Sequence, residues 1–64
     1  MTRHQKEVIT GYTFLALNRA LFSVEDMEKV FDRLLSCFNR YDEAAAAQEG
    51  EYWLAAAERN LEYK

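Results

Sequence analysis

An all-α fold is what the amino-acid sequence predicts. Apolar residues recur three and four apart through most of the chain. Proline is absent and glycine occurs twice in 64 residues, and the stretch Ser23-Val24-Glu25-Asp26 has the makeup of a helix start. The finer expectation is an antiparallel helical hairpin with a third C-terminal helix, assembling into a homodimeric helical bundle. Residues 1–64 make a single helical domain. Helix 1 is expected over about 3–22, helix 2 over about 24–48, and helix 3, or a continuation of helix 2, over about 51–63.

In helix 1, Val8, Ile9, Tyr12, Leu15 and Ala16 form one apolar row, and Phe14, Leu17 and Leu21 form a second well round from it. A helix greasy on two sides is usually sandwiched between neighbours. Ser23 then supplies an N-cap hydroxyl, and Glu25 and Asp26 place negative charge in the first turn, where the helix dipole favours it. The short connection this implies favours an antiparallel hairpin.

Helix 2 carries a heptad-like seam of Val24, Met27, Phe31, Leu34, Phe38, Tyr41 and Ala45, with Gln48 its first polar member; the part from Val24 to Tyr41 is expected to hold the fold, with Val30, Leu35 and Cys37 on its flanks. Glu25, Lys29, Asp32, Arg33, Ser36, Arg40 and Glu43 form the solvated side. Run straight through Gly50, this helix would change its apolar face midway, because Leu54, Ala57 and Leu61 project nearly opposite Phe31, Leu34 and Phe38. The pattern therefore predicts a break or bend at Gly50, glycine being the commonest residue just past a helix end. Against it, no capping residue stands at Gly50, its neighbours are strong helix formers, and one glycine costs only about 1 kcal/mol. Ala44 to Ala47 and Ala55 to Ala57 add little volume, but they let another helix approach closely.

A chain this short makes a marginal core, and the usual remedies are disulfides, a metal or association. A single cysteine, Cys37, excludes an internal disulfide, and one histidine, His4, leaves no zinc-type ligand set. Association remains, so a homodimer is expected. Cys37 reads as a buried thiol acting as a small hydrophobe. The opening residues lack a signal-peptide pattern, and the apolar run from Tyr12 to Phe22 is interrupted by Asn18 and Arg19. The expected location is cytoplasmic.

Net charge is −3 and unevenly spread: residues 1–22 hold Arg3, Lys6 and Arg19 against Glu7. A weakly acidic chain is a poor phosphate binder, and no basic cluster or helix-turn-helix punctuation points to nucleic acid. Three basic residues on helix 1 are also too few for a clean membrane-surface face. Neither nucleic acid nor membrane is an expected partner. A transcriptional regulator using the basic N-terminal helix and a membrane-surface amphipathic protein are the rival readings.

His4 and Glu7 are adjacent on a helix but bring no further ligands. Glu49, Glu51, Glu58 and Glu62 read as exterior charges, since acid/base chemistry needs a buried cleft to raise one pKa. No catalytic, cofactor-binding or metal residue is therefore assigned. Trp53, with Tyr52, Leu54 and Tyr63, forms an aromatic cluster of the kind found at binding hot spots. The expected function is a non-catalytic protein-protein interaction module, acting as a regulator, inhibitor or adaptor. Its expected contacts, with itself or an unidentified protein, are Phe14, Leu17, Leu21, Trp53 and Leu54.

Overall fold

The computed structural model describes residues 1–62, with side chains as far as Asn60. It is all-helical, with α1 over Arg3–Arg19, α2 over Val24–Arg40 and α3 over Glu43–Glu62. No strand occurs among the described residues. Tyr63, the expected last residue of helix 3, lies outside the described residues, as does the side chain of Leu61.

A side-chain oxygen opens each helix. Thr2 and Gln5 form a reciprocal capping box, with the Gln5 N–H donating to Thr2 Oγ1 at 3.1 Å and the Thr2 N–H donating to Gln5 Oε1 at 2.8 Å. The Ser23 Oγ accepts the Asp26 N–H at 3.1 Å, and Asp42 Oδ1 accepts the Ala45 N–H at 2.8 Å. Each bond satisfies one of the donors that a helix start leaves unpaired.

α1 closes at Arg19, two or three residues before the expected Leu21 or Phe22. Leu21 donates to Asn18 O and Phe22 to Leu17 O, both at 3.1 Å, around Leu21 at φ 64°. This is a Schellman closure with leucine at the left-handed position that glycine usually fills. A side chain there costs about 1–2 kcal/mol, and the absence of glycine hid the true helix end from the sequence.

The expectation of a helix over about 24–48 that breaks at Gly50 is corrected. α2 stops at Arg40, Tyr41 is extended at ψ 141°, and Gly50 lies inside α3. Asp42 provides the cap that Gly50 lacks, and the alanine-rich flanks offset the cost of one glycine.

α1 and α2 pack side by side. The Phe14 ring stacks on Phe31 with centroids 6.5 Å apart, and the Lys6 ammonium lies 5.9 Å from the centre of the Phe38 ring. Met27 is 7% exposed, and Leu17, Val30, Phe31, Leu34 and Phe38 are half-buried around it. The half-buried Thr10 and Thr13 bond their hydroxyls to Lys6 O and Ile9 O, at 2.7 and 2.8 Å, so each hydroxyl hydrogen is satisfied within α1. Val24 and Tyr41, at the two ends of the part of the seam expected to hold the fold, are exposed. Cys37 is exposed too, which corrects its expected burial: it lies about 90° round α2 from the Met27, Phe31, Leu34 and Phe38 stripe.

Among the described residues, close backbone packing between helices is confined to α1 and α2. α3 begins beside the start of α1, where the Met1 amine lies 2.7 Å from Glu43 Oε1. Open grooves that α3 shares with α1 or α2 reach along it only to Glu49. The helix then continues for more than three turns with Tyr52, Trp53 and Leu54 exposed. Met27 is the one buried apolar residue among the described residues.

The consequence is a large surface. The chain exposes 5934 Å² at 7.5 kDa, whereas a compact monomer of that mass exposes about 4,200 Å². Its radius of gyration is 13.1 Å, against about 10.7 Å for a compact domain of this length.

Candidate interaction surface

The seam between α1 and α2 opens on one side into a groove of about 560 Å³. Its floor is Phe14, Phe31 and Phe38, its wall on α2 is Leu35, and Arg3 and Lys6 stand at one end. The floor follows from the sequence. Phe31 and Phe38 are seven apart on one stripe of α2, and Phe14 comes from the second apolar row of α1. Bulky rings hold the helices apart at the rim, and Gly11 adds no side chain there: a Cβ built on it would meet nothing within 4 Å.

The groove is apolar with a basic end. Lys6 is half-buried and spends its charge partly on the Phe38 ring, an attraction available to any cation over an aromatic face. Arg3 faces Glu7 at 3.7 Å, with both side chains largely in solvent, so this pair adds little to stability. Two cations thus stand against one carboxylate at this end. Leu35 is 60% exposed and Phe14 45%, which leaves unpartnered apolar surface along the wall and floor.

The five expected contact residues fall in three places. Phe14 lies in the groove and Leu17 is half-buried beside α2. Leu21 sits in the connection, 89% exposed. Trp53 and Leu54 are on the far half of α3, where the Tyr52 ring meets Trp53 edge-on at 5.1 Å. The chain brings Phe14 and Leu17 together and leaves Trp53 and Leu54 apart from them, since α3 makes no close backbone approach to α1. Val8, Tyr12 and Leu15, the first apolar row of α1, remain exposed on the side away from α2.

Sequence reasoning gave Phe31 and Phe38 to the core alone. Both are only half-buried and also floor the groove, and the signal was their size: two rings and Phe14 overfill a seam between two helices. Lys6 was counted only as a basic residue of helix 1. Its position, one turn before Thr10 on the α2-facing side, was the available clue. Among the described residues no three His, Cys, Asp or Glu side chains converge on one point, and no helix is long and apolar enough to cross a membrane. Set against protein-family models, curated proteins and solved structures, the chain matches none.

Proposed function

We propose that this chain is a small non-catalytic protein-protein interaction module, in which an antiparallel α1–α2 hairpin is the frame and apolar helix faces make the contacts. The carrying observation is surface. The chain exposes 5934 Å², an excess of about 1,700 Å² over a compact monomer of its mass. Much of it is aromatic or aliphatic: Tyr12, Leu15, Leu35, Tyr52, Trp53 and Leu54 all stand in solvent. Patches of this kind on a small chain mark interaction sites. The reading includes self-association as a homodimeric bundle, which is how a chain with one buried apolar side chain among its described residues gains a core. A regulator, inhibitor or adaptor role follows from binding without chemistry.

Mass by light scattering over a dilution series, with circular dichroism on the same samples, tests this. The expected result is a dimer whose mass and helicity fall together on dilution. A helical monomer of 7.5 kDa at every concentration overturns the dimer.

A further inference from the structure

Resting on that reading, we infer that the groove between α1 and α2 takes the far half of α3 from a second copy of this chain, in a reciprocal exchange that fills both grooves. Groove and helix are complementary in shape. The groove is long, apolar and lined by rings, the form that receives an amphipathic helix. From Gly50 onward α3 is such a helix, with Trp53, Leu54 and Ala57 within about 100° of arc.

They are complementary in charge as well. Arg3 and Lys6 stand at the groove's end against Glu7 alone. The far half of α3 carries Glu51, Glu58 and Glu62 against Arg59 alone. Glu51 and Glu58, two turns apart, border Leu54 on one flank of the apolar arc.

A chain does not fill its own groove. α3 starts beside Met1 and borders α1 on the Val8 and Ile9 side, whereas the groove opens on the Arg3 and Thr10 side. The link is only Tyr41 and Asp42, too short to carry α3 around the pair. Two copies satisfy each other by the same contact made twice, which closes the assembly. The area agrees: a standard interface takes about 800 Å² from each partner, within the excess of about 1,700 Å² that each chain exposes.

The test uses the full chain. Sedimentation velocity compares the unaltered protein, Trp53→Ala, the double variant Arg3→Glu with Lys6→Glu, the double variant Glu51→Lys with Glu58→Lys, and an equimolar mixture of the two double variants. Expected is a dimer weakened at least about tenfold by Trp53→Ala and by each charge reversal alone, with a heterodimer recovered in the mixture. A native dimer that Trp53→Ala leaves intact, or a mixture that recovers nothing, overturns the exchange while self-association stands. An unaltered protein that stays monomeric overturns both. Should Arg3→Glu with Lys6→Glu lose helicity by circular dichroism, Trp53→Ala decides alone, because Trp53 is 64% exposed and outside the α1–α2 packing.

Discussion

α2 and α3 are neighbours in sequence, of 17 and 20 residues, and they relate to the rest of the chain in opposite ways. α2 concentrates its large apolar residues on one stripe, and that stripe meets α1 through Met27, Phe31, Leu34 and Phe38. α3 spends its first two turns on alanines and carries its large residues only beyond Gly50, with Trp53 and Leu54 on one arc and Tyr52 on the opposite side. The difference teaches that apolar content alone does not decide whether a helix is buried. Bulk has to recur at the helical period before a partner within the chain can cover it.

The largest expected effect separates the two helices directly. Met27→Ala removes the one apolar side chain buried among the described residues and should cost about 2 kcal/mol, enough to unfold much of so small a protein. At a concentration where the chain is monomeric, Trp53→Ala should cost less than about 0.5 kcal/mol by the same urea titration. Equal losses would mean that α3 contributes to the fold as α2 does.

Next in size are the caps. Ser23→Ala and Asp42→Ala each remove one bond to a helix start, worth about 1 kcal/mol. Amide exchange followed by NMR should show the first variant losing protection throughout α1 and α2, and the second only in α3. Loss of α1 protection in Asp42→Ala would break the comparison.

The smallest effect tests the helix that the sequence made look broken. Gly50→Ala should raise helicity and stabilise α3 by about 0.5–1 kcal/mol, because the new Cβ meets nothing within 4 Å and the backbone is helical. A loss of helicity in dilute solution would restore the bend at Gly50.

Legibility followed the same division. Ser23 was readable because an oxygen-bearing cap precedes an apolar run. The stripe of α2 was readable because its period is regular. Asp42 was missed because Tyr41 and Ala45 continue the apparent seam across it, so that periodicity outvoted a capping residue in plain view. The end of α1 was missed because Leu21 occupies a glycine's place. The groove was least legible: whether a ring floors a cleft or fills a core depends on helix separation, which the spacing of apolar residues along the chain does not report.

Tyr41 has one more consequence. It is extended between two helices, and α3 beyond it is a rigid arm of 20 residues, about 30 Å long. A rotation of about 10° at that joint sweeps the tip of the arm through roughly 5 Å, one helical pitch, and carries Trp53 through about 3 Å. Where the aromatic residues stand in space is thus governed by the backbone torsions of a residue more than ten positions away.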